Sequence, residues 1–137
     1  MQLNQCINYL LTTSQHVVFQ KTLARLSEYD ITPVQYGALY CLWELHLDNP
    51  KEIAAALHLE NSTISGVLDR LEKKEFIERG LNPNDRRCVK IKLTRKAASL
   101  RLPVLQAVDR LNEEILSVFT EEEADHLKAC LRRLSDL

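Results

Sequence analysis

Apolar residues recur at intervals of mostly three and four from Leu3 through Ile7, Leu10, Leu11, Val17 and Val18 to Leu23 and Leu26. That spacing predicts an amphipathic helix over Leu3 to about Ser27. The next helix announces its start: Thr32 can cap, Pro33 suits the first helical position and Gln35 completes a T-x-x-Q capping box. It continues through Tyr36, Leu39, Tyr40 and Trp43, which share one aromatic-rich face. A third start follows at Asn49-Pro50, with Glu52 three residues after the cap, and predicts a short helix to about Leu57 with Ile53, Ala54 and Leu57 inward. After His58-Leu59-Glu60, Glu60 or Asn61 caps a fourth helix to about Lys74 that buries Ile64, Val67, Leu68 and Leu71. Two short helices joined by a turn of three or four residues form a helix-turn-helix pattern.

The period then changes. Phe76-Ile77-Glu78-Arg79 leads into a turn cluster, Gly80-Leu81-Asn82-Pro83-Asn84-Asp85, and Val89-Lys90-Ile91-Lys92-Leu93 alternates apolar and lysine. The pattern predicts a two-stranded hairpin with a long, polar, basic tip. Thr94 caps a long helix carrying Leu100, Val104, Val108, Leu111, Ile115 and Phe119, and Pro103 inside it predicts a kink or a separated first turn. Thr120 with Glu123 opens a last helix through Leu127, Cys130, Leu131 and Leu134. The fold class is therefore mainly α with a small β-hairpin wing: a winged helix-turn-helix region over 32–96, within one domain of 1–137. The helices of 1–30 and 100–137 carry apolar stripes that a lone winged domain leaves uncovered. They predict a homodimer closed by Leu3, Ile7, Leu10, Leu127, Leu131 and Leu134.

Composition narrows the class. With 45% apolar and 27% charged residues the chain reads as an ordinary globular one, and three Gly and four Pro in 137 residues argue against a turn-rich all-β fold. The net charge of −1 conceals a division. Lys51 to Lys96 holds eleven Lys/Arg against seven Asp/Glu, whereas the remainder is acidic. A basic middle between acidic ends points to a polyanion contacted by the middle alone. No apolar run approaches the roughly 18 residues that a membrane span needs. The segment before Lys21 lacks the basic flank of a signal peptide. A cytoplasmic protein with no membrane partner is expected, its four scattered cysteines as free thiols. No Cys or His spacing suits a metal, and no cofactor is implied. A Gly-rich phosphate loop, an HExxH, a nucleophile elbow and a plausible carboxylate pair are all missing, so an enzyme is not expected.

A helix-turn-helix beside a basic hairpin suits double-stranded DNA: one helix fits the major groove while the hairpin reaches backbone or minor groove. The recognition helix would offer Asn61, Ser62, Thr63 and Ser65 to phosphates and base edges, Gly66 for close approach and Arg70 a turn later. From Arg79 to Lys96 there are seven basic residues and one acidic, Asp85. Asp85, Arg86 and Arg87 at the tip, with Lys90 on the strand, are the wing candidates; an aspartate beside arginines can hold one guanidinium for minor-groove insertion. A winged helix that binds a protein instead is the competing reading of the same pattern.

The stretch NSTISGVLDRLEKKEFIERGLNPNDRRCVKIKLT resembles the core of the MarR family of bacterial transcription regulators, and ITPVQYGALYCLWEL resembles that family's second helix. The resemblance spans essentially the whole chain, and the N-P-N-D-R-R turn with an alternating strand ending in L-T is its most specific part. It implies an obligate homodimer with intertwined terminal helices and two winged regions on a pseudo-palindromic operator. By position, Thr63, Ser65 and Arg70 match recognition-helix contacts, and Asp85 and Arg87 match the wing-tip pair. Two departures stand out: Glu75 and Ala97 occupy positions where the family has Gly. A positive φ at Glu75 would cost roughly 1 kcal/mol relative to Gly.

The resemblance also implies a repressor released by a small aromatic ligand or, in another branch, by oxidation of a cysteine. Cys6 lies near that branch's reactive position, but an ungapped count from Ile31-Thr32 places Asn8 there, and Thr22 and Pro33 fall where phenols would be needed. Cys41 and Cys130 read as inert core. Cys88 adjoins Arg86, Arg87 and Lys90, cations that favour a thiolate. Cys6 and Cys88 are thus the candidate redox thiols. His16, His46, His58 and His126 show no metal spacing, and His16 with Arg25 is a candidate pair for a ligand pocket.

Overall fold

The computed structural model describes the backbone of all 137 residues and the side chains of residues 1–85 and 88–137. After a 3-10 turn at Leu3–Gln5 come α1 (Ile7–Leu26), a second 3-10 turn at Ser27–Tyr29, α2 (Pro33–Trp43), α3 (Pro50–Ala56) and α4 (Asn61–Lys73). The hairpin β1 (Ile77–Asn82) and β2 (Asp85–Leu93) follows, then α5 (Arg95–Leu116) and α6 (Glu121–Ser135). Three of the expected caps form as read. Thr32 and Thr120 make reciprocal capping boxes with Gln35 and Glu123. Thr94 Oγ1 accepts the N–H of Ala97. Asn49 caps α3 through the N–H of Lys51, with no part for Glu52.

The core gathers the inward faces of α2, α3 and α4, the base of the hairpin and the first half of α5: Leu39, Trp43, Ile53, Ile64, Leu68, Leu71, Phe76, Ile77, Ile91 and Val104. Trp43 Nε1–H donates to Ala97 O at 3.1 Å, so Ala97 is a buried joint between α2 and α5. Gly37 lets α2 meet the helix-turn-helix closely, because a Cβ there would lie 3.0 Å from Leu57 Cδ2. Beyond the hairpin pairing, Ile91 N–H donates to Asp48 O at 2.9 Å, which ties the α2–α3 loop to β2.

Glu75 does take a left-handed conformation, with φ 63°. It ends α4: its N–H reaches Glu72 O and the Phe76 N–H reaches Leu71 O, satisfying carbonyls that the helix end leaves free. Asp30, His46 and His58 also adopt positive φ, whereas none of the three glycines does. His58 thus serves to terminate α3, its N–H on Ala55 O and the following Leu59 N–H on Ala54 O.

The hairpin tip is irregular: regular pairing stops at Leu81 with Val89, the register then jumps to Asn82 with Asp85, and the Asn84 N–H donates to Asn82 Oδ1 at 2.9 Å in the closing turn. Two expectations need correction. The long helix stops at Leu116, before Phe119, where the Ser117 and Phe119 N–H groups turn back to Glu114 and Leu116 carbonyls and Thr120 starts afresh. Pro103 does not split α5; it lies on an exposed face, where water can serve the carbonyl that its missing N–H leaves unpaired.

Candidate nucleic-acid interface

The helix α4 is sharply two-sided. Ile64, Val67, Leu68 and Leu71 are buried against α2 and α3, and the opposite face exposes Asn61, Ser62, Thr63, Ser65 and Arg70. Glu60 at the N-cap makes no side-chain capping bond, so its carboxylate does not occupy the first-turn N–H groups of α4. Beyond its own stretch of helix, nothing lies within 4 Å of the point where a Cβ on Gly66 would stand, so no packing contact interrupts the face there. This is the arrangement that the spacing predicted: short hydrogen-bonding side chains on a rigid, accessible helix.

The hairpin stands beside α4. Ile77 and Ile91 anchor its base, whereas Leu81 on β1 is 67% exposed. Between α3, α4 and the strands runs an open groove of about 560 Å³, lined by Lys51, Asn61, Ser65, Arg79, Leu81 and Val89 among others. Val89 therefore faces the groove instead of the core, unlike Ile91 two residues on. Asp85 is exposed near the turn. The side chains of Arg86 and Arg87, the remaining tip candidates, lie outside the described residues.

The basic residues of this region divide by partner. Arg79 Nη2 reaches Asp69 Oδ1 at 2.6 Å and Glu72 Oε1 at 3.2 Å, both on α4. These bonds raise the guanidinium's pKa, and Arg79 in turn holds the Glu72 carboxyl below its ordinary value. Lys74 Nζ donates to Asp30 O and Gln35 Oε1, and Lys96 Nζ donates to Lys74 O while standing 4.6 Å from the Phe76 ring centre. The candidate Lys90 has only a loose contact, 3.9 Å to Asp48 Oδ2. Lys51, Arg70, Lys73, Lys92 and Arg95 form no ion pair among the described residues. Part of the basic count thus binds the fold together, and charge composition alone does not tell the two kinds apart.

The cysteines also need correction. Cys88 Sγ lies 3.5 Å from Asp85 Oδ2, and that hydrogen bond and charge push its thiol up, outweighing the opposite effect of Lys51. Among the described residues it is the Asp85 carboxylate that meets the thiol, and it opposes the thiolate that Arg86, Arg87 and Lys90 were expected to favour. Cys130 is not core either: α6 has no buried residue, and Cys130 Sγ sits 3.6 Å from His126 Nε2. Cys41 is buried, and burial raises its thiol pKa. Cys6 is half-buried at the N-cap of α1.

Away from the wing, α1, α5 and α6 border an open apolar groove of about 700 Å³, lined by Leu11, Val18, Phe19, Ile115, Phe119 and Leu131 among others, most of them exposed. His16 is exposed and lines none of it. Arg25 instead pairs with Glu114 at 2.8 Å beside a smaller, polar pocket. Of the 20 residues of α1 only Leu26 is buried. The dimerisation candidates Leu3, Ile7, Leu10, Leu131 and Leu134 are exposed, at 66%, 60%, 40%, 42% and 40%, and Leu127 is half-buried.

Comparison with known proteins joins these parts. A family model described as the MarR family matches residues 31–89, the segment from the start of α2 into β2. The HTH-type transcriptional regulator PecS of Dickeya dadantii (strain 3937) is 35% identical over 130 residues, covering 93% of this chain and 75% of the relative. The chain belongs to the MarR family. Among solved structures, the S. aureus MepR–DNA complex is 31% identical and superposes with a TM-score of 0.84, covering 96% of this chain and 98% of that one. A structure of Bordetella bronchiseptica BpsR, described as regulated in its DNA binding by 6-hydroxynicotinic acid, superposes with a TM-score of 0.92 at 18% identity, over 100% and 98% of the two chains. As a MarR-family member the chain is a transcriptional regulator with the winged-helix fold, not an enzyme. Among the described residues no helix is long and apolar enough to cross a membrane.

Proposed function

We propose that this MarR-family regulator is a homodimeric repressor in the cytoplasm that reads a pseudo-palindromic operator in double-stranded DNA and lets go when a small aromatic ligand binds. One observation carries the DNA reading: the polar face of α4, with Asn61, Ser62, Thr63, Ser65 and Arg70 exposed together beside the hairpin. In this reading α4 enters the major groove, and Asp85, Arg86, Arg87 and Lys90 address backbone and minor groove. The exposed apolar side chains of α1 and α6 support the dimer, since that much uncovered apolar surface is unusual on a monomer. The region over 32–96 is the DNA-binding part, and the helices of 1–30 and 100–137 assemble the dimer.

The ligand reading rests on the apolar groove among α1, α5 and α6, whose size falls in the range of small-molecule sites. Its walls belong to the helices that would set the spacing of two winged regions. A ligand that binds the non-operator spacing more tightly would shift the population away from DNA. The test is a mobility shift on the DNA flanking the protein's own gene, repeated with a panel of aromatic acids and with peroxide. A specific, salt-sensitive shift relieved by an aromatic acid is expected. Relief by peroxide alone would replace the ligand by a thiol, and no shift on any duplex would leave a protein-binding module as the reading.

A further inference from the structure

Arg79 was counted among the wing's basic residues, but its geometry aims it elsewhere. From β1 it turns back onto α4, where Nη2 bonds both Asp69 Oδ1 and Glu72 Oε1 and Nε donates to Glu72 Oε2. The Arg79 backbone N–H donates to that same Glu72 Oε2, at 3.1 Å. Asp69 and Glu72 are i and i+3 on one face of α4, so the planar fork spans a full helical turn. The side chain is about three-quarters covered, with 25% of its surface exposed, which limits screening by salt.

We propose that Arg79 is a positioning residue: together with Asp69 and Glu72 it fixes the angle between the recognition helix and the wing, so that both engage an operator as one rigid body. The inference rests on the DNA reading above and assigns to that surface a device of its own. Ile77 and Ile91 already hold the hairpin's base. Above them β1 has no buried side chain, and the Arg79 bridge is the ion-paired link from β1 to α4 among the described residues. A regulator that reads two grooves at once gains from pre-setting their spacing, because no ordering cost then falls on binding.

Electrostatics makes the test sharp. Glu72 and Asp69 are negative charges beside a surface meant for a polyanion, so removing either charge should strengthen DNA binding if they act only through the field. If they hold the clamp, Glu72→Gln should weaken specific binding, by roughly tenfold, the size of a well-formed charged network. Non-specific binding, which needs no fixed angle, should stay level or improve. Arg79→Lys should not rescue, since one ammonium cannot serve Nε and Nη2 positions together. The salt slope of Arg79→Ala should match that of the wild type, whereas a phosphate contact would lower it by roughly 0.9 per lost contact.

A readout without DNA accompanies these: amide exchange at Arg79, whose N–H is bonded to Glu72, should quicken in Glu72→Gln while amides of Ile77 and Ile91 keep their protection. A Glu72→Gln protein that binds its operator as well as or better than wild type, with unchanged exchange, overturns the clamp. A wild-type protein that binds no duplex overturns the DNA reading instead, and in that case the exchange result alone decides whether the clamp holds the wing.

Discussion

The winged region and the terminal helices solve opposite problems with similar sequence material. Both contain apolar residues at three- and four-residue spacing, but α4 buries its stripe within the chain and α6 buries none of its own. The winged region closes its core within a single copy, around Phe76, Leu68 and Trp43, and the outward face of α4 is polar. The terminal helices are unfinished. Periodicity identifies an apolar face in each case, yet only packing reveals whether that face has been used.

The largest expected effect breaks the unfinished half. Removing residues after Phe119 deletes α6, and we expect loss of dimer and of operator binding together, read by sedimentation and mobility shift. A truncated chain that stays folded, monomeric and fully competent for DNA would show that the exposed stripes have another use. Point changes should sharpen the contrast. Leu68→Ala removes a buried side chain and should cost about 2–5 kcal/mol in unfolding at any protein concentration. Leu134→Ala should leave the unfolding of a dissociated chain nearly unchanged and instead raise the protein concentration at which the dimer forms.

On the DNA side, Arg87→Ala is expected to weaken binding to specific and random duplexes alike and to lower the salt slope by roughly one unit per half-site. Ser65→Ala should chiefly reduce discrimination between sequences, since its hydroxyl lies on the exposed face of α4. An unchanged slope for Arg87→Ala would remove the wing from the interface.

Acid should loosen the hairpin's tie to α4, as it should the start of α6, where Thr120 holds the Glu123 carboxyl low. Arg79 holds the Glu72 carboxyl low in the folded chain. Its bridge therefore contributes stability above the unfolded carboxylate's pKa, and loses it as pH falls through the lower, folded value. Specific DNA binding should weaken in that acidic window in wild type, with a smaller change in Glu72→Gln. The Cys88 thiol is held up by Asp85, so its alkylation at neutral pH should be slower than that of an unperturbed thiol. Asp85→Asn should speed it. Equal rates in the two proteins would separate the acid from the thiol.

The smallest effect is confined to one turn. Glu75→Gly should stabilise the chain by roughly 0.5–1 kcal/mol, because a left-handed backbone at a helix end costs a side-chain-bearing residue and not glycine. A gain at Glu75 with no change in DNA binding would show that the end of α4 is tuned independently of its reading face.

Local chemistry determined much of this protein from its sequence. Thr32, Thr94 and Thr120 start helices because a hydroxyl and a β-region backbone satisfy first-turn N–H groups wherever they occur. Alternation through Lys90, Ile91 and Lys92 set the strand, and the polar opening of α4 marked its candidate reading face. The motif around Asn82 to Arg87 pointed to the family that the comparisons show. What only the tertiary structure decided involves residues distant in sequence. Whether Arg79 faces a phosphate or Asp69 depends on how a strand folds back on a helix, and a charge count is blind to direction. Whether Cys88 is a thiolate depends on which neighbour comes within hydrogen-bond reach, and Asp85 does so through the closing turn. Val89 and Ile91 share one alternation but differ in burial, since the core ends between them and the groove begins. Spacing along a chain assigns a residue to a face; what lies opposite that face is fixed by the meeting of segments that no local pattern encodes.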